Sequence, residues 1–346
     1  MRPTGGEAAR TFLLQKHAGF THKHDSHNKK TQDKDMKYAI IGSGAIGIYY
    51  GGLLAKAGKE VHFLLHSDYE HVKNHGLRVD SCDGSYTLPT VNAHKTTETM
   101  PVCDAVIVAL KTTANDQLPQ MLRPITADST IVLLIQNGIG VEADLQAAMP
   151  DAQIAAGVAY ICTLKPEPGR IDHMGLGRLS VASYSCRDTD RLSAMVSEMV
   201  SVGLRVKLAP SYDNMRWQKA VWNMTFNGMT VACNAPSAPS LLQDGETKRT
   251  IRAMMSEIIA AANACGASGV NEDYADQMME MTSKMPPFAS SMKFDYDHHK
   301  PMELHYLYEK PIEEAHRHGC RMPLIEGLAA KLAEMNKGLQ TFKSGK

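Results

Sequence analysis

A chain of 346 residues, 43% hydrophobic and 21% charged, is long enough for two soluble domains with cores of their own. Its 37 lysines and arginines balance 37 aspartates and glutamates, which excludes the positive footprint of a nucleic-acid binder. The seven cysteines form no CxxC pair, no secretory signal is evident, and no apolar run approaches the ~18 residues of a membrane span. The expectation is a cytoplasmic protein with reduced thiols that touches neither membrane nor nucleic acid.

Residues 1–35 are polar and lack a sustained hydrophobic period, so they are expected to be a disordered N-terminal extension. His22, His24 and His27 lie there close enough in sequence to offer metal ligands, but a solvated tail is the simpler reading and no metal is expected. Met36-Lys37 directly precedes the first strand, as a natural N-terminus would, and the functional fold is expected to start at that point. From there, strand and helix alternate. Residues 38–41 are a short apolar run ending in glycine, and residues 46–57 read as a helix closed by Gly58. Residues 61–65, 105–110 and 131–135 are further apolar runs of strand length, the pattern of parallel strands covered on both faces. Residues 154–162, 170–173 and 179–182, set off by proline and glycine, are expected as antiparallel additions. The pattern predicts an α/β fold with a Rossmann-type, doubly wound sheet over residues 36–209.

Beyond Ala209-Pro210 the chain turns almost wholly helical, with helices predicted over 213–231, 246–264, 271–283, 302–318 and 324–336. Residues 210–346 are therefore expected to form an all-α C-terminal domain. The 21 methionines fall mostly on apolar helix faces, where they are core filler rather than ligands.

Gly42-Ser43-Gly44-Ala45-Ile46-Gly47 fits G-x-G-x-x-G. The first glycine permits a tight turn, the second admits a pyrophosphate to the backbone, and the third lets helix pack on strand. Free N–H groups and the helix dipole then hold the phosphates. This match follows a strand, opens a helix and sits in a strand–helix–strand unit, so it predicts a bound dinucleotide. The second strand ends in His66-Ser67-Asp68. His66 and Ser67 can receive a 2′-phosphate, whereas Asp68 would repel one. Ser67 with Glu70 equally fits a capping box for the next helix. The balance favours NADP and leaves NAD open.

In the helical half, Lys219, Asn223 and Asn227 recur at i, i+4 and i+8, which places them along one helix face. An exposed polar stripe would explain them. Their neighbours Trp217, Val221, Met224 and Phe226 instead suggest a cleft-lining row that needs polar partners. A lysine in such surroundings has its pKa lowered toward the range of a proton donor.

These features, taken together, resemble the ketopantoate reductase (2-dehydropantoate 2-reductase) family from about residue 36 to residue 336. The family's opening is echoed by residues 42–52 and its lysine-bearing strand end by Leu110-Lys111-Thr112. Its Asn-Gly turn is similar to Gln136-Asn137-Gly138, and its Lys…Asn…Asn helix to Lys219, Asn223 and Asn227. Ser290-Ser291-Met292 with Asp295, followed by Glu303, has its serine-to-glutamate spacing. On spacing alone Asn137 could be a turn residue, Ser291 a helix cap, and Glu303 a first-turn acid after Pro301.

The resemblance implies hydride transfer from NADPH to the C2 carbonyl of 2-dehydropantoate, giving pantoate for pantothenate and coenzyme A synthesis. It implies Lys219 as proton donor, with Glu303 orienting it and accepting a bond from a substrate hydroxyl. Asn223, Asn227 and Ser291 would bind substrate, and Lys111 and Asn137 would lie near the nicotinamide and ribose. Two positions depart from the pattern: His66 stands where the family usually has a 2′-phosphate-binding arginine, and Ser237 where it commonly has an asparagine. A reductase of another small branched 2-oxo acid is therefore an alternative. A catalytically silent NADP-binding regulator is another, and the sequence leaves the oligomeric state open, a homodimer included.

Overall fold

Apolar runs too short for helices make up the inner strands, and the computed structural model describes them within residues 35–344. The expectations for residues 1–34 lie outside the described residues; the chain from Met36 onward is one compact unit. Its first part runs β1 (Tyr38–Ile41), α1 (Ala45–Lys56), β2 (Val61–Leu64), α2 (Tyr69–His75), β3 (Leu77–Ser81), β4 (Tyr86–Leu88) and β5 (Asn92–His94). It continues with β6 (Ala105–Val108), α3 (Leu118–Leu122), β7 (Ile131–Leu134), α4 (Val141–Ala148), β8 (Gln153–Glu167), β9 (Arg170–Ser183), α5 (Thr189–Ser201) and β10 (Arg205–Leu208). One sheet joins them in the order β4-β3-β9-β8-β7-β6-β1-β2-β5, with β10 on β9. Strands β1, β6 and β7 are buried along their whole length, as parallel strands covered on both faces must be.

Two expectations are corrected here. Strand β8 is not an antiparallel addition to the sheet: crossover through α4 brings it parallel to β7, and it is antiparallel only to β9. The two short runs predicted at 170–173 and 179–182 are one strand. Gly175 and Gly177 lie within it, and the β8–β9 register shifts beside them, so these glycines mark an irregularity in the ladder rather than a turn.

The helical part comprises α6 (Tyr212–Trp222), α7 (Gly228–Ala232), α8 (Ala238–Leu241), α9 (Gly245–Ala264), α10 (Glu272–Ser283), α11 (Ser291–Asp297), α12 (Lys310–Arg317) and α13 (Pro323–Ser344). The helix expected at 213–231 is interrupted by a π turn at Asn223–Asn227 between α6 and α7. A second π turn, His305–Glu309, precedes α12, so the helix expected from 302 begins later and Glu303 lies in irregular chain before it. The two widened turns support each other. Tyr308 donates its hydroxyl to the Met224 carbonyl at 2.7 Å, a bond buried between them. Any Cβ at Gly228 would overlap that hydroxyl, so the close approach requires glycine there.

An ion pair buried on both sides ties the two parts of the molecule. Arg216 on α6 is 3% exposed and pairs with Glu142 at 0%, in the first turn of α4. The same guanidinium donates to the carbonyls of Gln136 at 2.7 Å and Leu134 at 3.1 Å, at the carboxyl end of β7. Thus the helix carrying Lys219 is anchored to the carboxyl end of a central strand. No helix among the described residues is long and apolar enough to cross a membrane.

Candidate active site

The glycine turn has the geometry its spacing predicts. Gly42 takes φ +101°, and a Cβ there would overlap the backbone at Leu110. A Cβ at Gly47 would overlap the Gly42 carbonyl oxygen, whereas one at Gly44 would meet nothing within 4 Å. Two glycines are thus demanded by the protein's own packing, and the third faces open space. Gly44 caps α1 without any side-chain acceptor, leaving the first-turn N–H groups directed at that space. This cradle fits a dinucleotide pyrophosphate. Ala45 and Ile46 begin the helix there, while the Ser43 hydroxyl is occupied, donating to the Leu64 carbonyl at 2.8 Å.

At the end of β2, His66 and Ser67 are both exposed. The capping box does not form. Asp68, rather than Ser67, stands at the start of α2 and makes no side-chain cap bond; the Ser67 hydroxyl donates to Asp68 at 3.1 Å, and Glu70 pairs with Lys95 at 2.7 Å. Asp68 is buried, accepting from Lys165 at 2.5 Å and from the Gly169 N–H at 3.0 Å. Burial alone would raise its pKa, but these donors outweigh it and hold the carboxyl below its ordinary value. The acid expected to repel a 2′-phosphate is therefore turned inward and neutralised.

The carboxyl ends of β6 and β7 supply the next residues. Gln136 donates to the Leu110 carbonyl at 2.9 Å and to Asn115 at 2.6 Å, fastening the two loops together. Asn137 is half-buried and accepts a bond from Asn223 at 3.3 Å, so the turn meets the π turn. Gly138, at φ +109°, packs on the backbone of Tyr306 where a side chain could not fit. Gly138, Lys219, Asn223 and Tyr306 line one small cleft.

Lys219 stands in that cleft, partly exposed, with no carboxylate or hydrogen-bond partner among the described residues. Its ammonium lies 4.6 Å from the centre of the Tyr160 ring and 5.7 Å from that of Trp222. Atoms crowded around it desolvate the charge and lower its pKa to about 8. Asn227 is buried and makes no side-chain hydrogen bond among the described residues.

Other expected members are placed differently. Glu303 accepts from the Thr112 N–H at 2.7 Å and from the Thr112 hydroxyl at 2.8 Å, rather than orienting Lys219. Lys111 donates to the buried Asp295 at 2.5 Å. Both bonds link the strand end after β6 to the helical part. Ser291 is exposed in the first turn of α11; the cap is Ser290, which accepts from the Lys293 N–H and bonds Thr230 at 2.9 Å. Sequence reasoning missed Thr112, Arg216 and Tyr160. Nothing in their local spacing points to the cleft, since each acts through a partner far away in the chain.

The arrangement is a dinucleotide cradle beside a lysine-bearing cleft at the carboxyl ends of parallel strands. Family comparison agrees with it. Residues 38–185 match the family model described as ketopantoate reductase PanE/ApbA, and residues 211–336 match its C-terminal counterpart. The chain is 39% identical over 303 residues to a 2-dehydropantoate 2-reductase of Nostoc sp., covering 86% of this chain and 94% of that protein. A solved 2-dehydropantoate 2-reductase from Geobacter metallireducens superposes with a TM-score of 0.83 at 35% identity, over 86% of this chain and 99% of that one. The fold extends to a D-mandelate dehydrogenase solved with NADH and anilino(oxo)acetate, at TM-score 0.77 and 20% identity, over 88% and 100% of the chains. Matched across both its sheet and its helical part, this oxidoreductase belongs to the ketopantoate reductase family.

Proposed function

We propose that the protein reduces 2-dehydropantoate to pantoate with NADPH, with residues 36–209 holding the dinucleotide and residues 210–346 supplying the acid and substrate contacts. The observation that carries this reading is Lys219: a desolvated ammonium without a counter-ion, beside the Asn223–Asn137 pair and next to a glycine cradle. Bound NADPH supplies a hydride to the C2 carbonyl carbon. Negative charge then grows on the carbonyl oxygen, and the Lys219 ammonium stabilises it and transfers a proton to it. Such acid catalysis is worth about 10²–10⁴-fold in rate. A pKa of about 8 leaves the ammonium mostly protonated at neutral pH, yet makes it a better acid than an exposed lysine.

Asn223, Asn227 and Ser291 bind the substrate's polar groups. Asn223 is already oriented by Asn137, and Asn227 keeps its amide free for a ligand. Glu303 accepts from a substrate hydroxyl, and until then its bonds to Thr112 hold it beside the strand end that carries Lys111. Lys111 and Asn137 serve the nicotinamide and ribose end. His66 and Ser67 receive the 2′-phosphate, which the inward turn of Asp68 leaves unopposed. NADP is thus favoured over NAD.

One observation supports testing other branched 2-oxo acids as well. Ser237, where the family commonly has asparagine, is 2% exposed at the start of α8 and reaches less far than that amide. The experiment follows NADPH consumption with 2-dehydropantoate and with other small 2-oxo acids. Turnover highest with 2-dehydropantoate is the expected result. Activity confined to other acids would refute the substrate assignment, and silence with every acceptor would favour a regulatory dinucleotide sensor.

A further inference from the structure

Away from the cleft, the carboxyl ends of α9 and α12 bring together a set of side chains that neither cofactor nor substrate uses. Cys265 caps α9, while Glu314 and His318 stand one turn apart on the same face at the end of α12. Candidate ligand atoms of all three lie within 4.8 Å of one another. His318 Nε2 is 3.2 Å from Glu314 Oε1, about the ligand separation of a tetrahedral zinc site with bonds near 2.0–2.3 Å. Gly319, at φ +72°, then turns the chain so that the Cys320 N–H bonds the Ala315 carbonyl at 2.9 Å. Cys265 and Cys320 are both partly buried against the same helical core.

We propose that Cys265, Glu314 and His318 form a three-ligand zinc site whose fourth position is filled by solvent. A borderline-soft cation matches a donor set of thiolate, imidazole and carboxylate. The Arg317 guanidinium pairs with Glu314 at 2.5 Å, but it is 65% exposed and holds Oε2, whereas Oε1 is the oxygen that faces His318. Metal binding here fastens the end of α9 to α12, the helix that follows the second π turn.

The other such cluster among the described residues, Cys82, Asp83 and His173, is a poorer candidate. Asp83 is held by Arg205 at 2.6 Å, and that guanidinium is anchored on the Leu176 carbonyl, which keeps a fixed positive charge in place. Moreover, His173 Nδ1 is shared with Ser81 at 2.9 Å.

The test uses the full chain, first stripped with chelator. Zinc is titrated by calorimetry, and cobalt is added separately to reveal the thiolate-to-metal charge-transfer band. Expected are one equivalent of zinc, a zinc-dependent rise in melting temperature, and a cobalt–thiolate band. Cys265→Ser and His318→Ala should each lower zinc affinity by more than about 100-fold, since even outer-shell losses typically cost 10–100-fold. Their unliganded melting temperatures and NADPH affinity should match the wild type, which separates ligand loss from misfolding. Zinc affinity unchanged in both variants would overturn the proposal, as would loss of binding in His173→Ala alone.

Discussion

Replacing Lys219 with methionine should make the protein more stable at neutral pH while nearly abolishing turnover. The fall from the ordinary lysine value of 10.5 to about 8 corresponds to about 3 kcal/mol, at 1.36 kcal/mol per pH unit, spent in keeping a desolvated ammonium charged. The contacts with Tyr160 and Trp222 return some of this, about 0.5–1 kcal/mol each, so the net gain of Lys219→Met at pH 7 should be roughly 1–2 kcal/mol. The sign with pH follows from proton linkage. Between pH 8 and 10.5 the unfolded lysine is more protonated than the folded one, so wild-type stability from this group rises with pH. The variant lacks that slope, and its advantage should shrink as pH approaches 10.5. Urea unfolding of both proteins at several pH values measures the gap, and steady-state NADPH oxidation measures the rate. Turnover of the wild type should fall above pH about 8, as the acid loses its proton. A variant less stable than wild type by the same amount at every pH would refute the reasoning, as would a wild-type rate that stays flat to pH 10.

Gly44→Ala should leave melting unchanged and weaken NADPH binding, whereas Gly47→Ala should destabilise the fold, because only the second Cβ overlaps backbone. Calorimetric titration and thermal melting separate the two. Arg216→Met should cost about 3–5 kcal/mol by stranding Glu142 in the interior, and adding Glu142→Leu should restore much of it; chemical denaturation of the single and double variants checks this. His66→Arg should strengthen NADPH binding about tenfold with little change for NADH, the worth of one charge-assisted bond of about 1.5 kcal/mol. Equal gains for both dinucleotides would place the 2′-phosphate elsewhere. Lys165→Met should lower the ratio of NADPH to NADH efficiency, because it removes the cation that neutralises Asp68 beside Ser67.

Much of the molecule is legible in local pattern because local physics dictates it. Runs such as Ala105–Val108 and Ile131–Leu134 have no polar residue to show solvent, so they are buried strands wherever the chain goes. Helix ends announce themselves similarly: Asn271 caps α10 by accepting from Tyr274, and Gly58 takes the positive φ that closes α1. Where local rules left two readings, distant partners chose between them. Ser67 and Glu70 fit a capping box until Lys165, about a hundred residues away, draws Asp68 inward. The row Lys219, Asn223, Asn227 implied an even helix face, but the π turn widens it, in a place supported by Tyr308 and permitted by Gly228.

The glycine turn, its flanking strand and helix, and the motif order of the family follow from residues within a few positions of each other. Their energies are set by neighbours along the chain, so they can be read without a structure. The destinations of Glu303 and Lys111 cannot. A carboxylate beside Pro301 is chemically the same whether it caps a helix, meets Lys219 or binds Thr112, and only folding across nearly two hundred residues selects Thr112. The same holds for the pKa of Lys219: its spacing suggested a cleft, but the desolvation that lowers it comes from side chains supplied by other elements, Tyr160 of β8 among them.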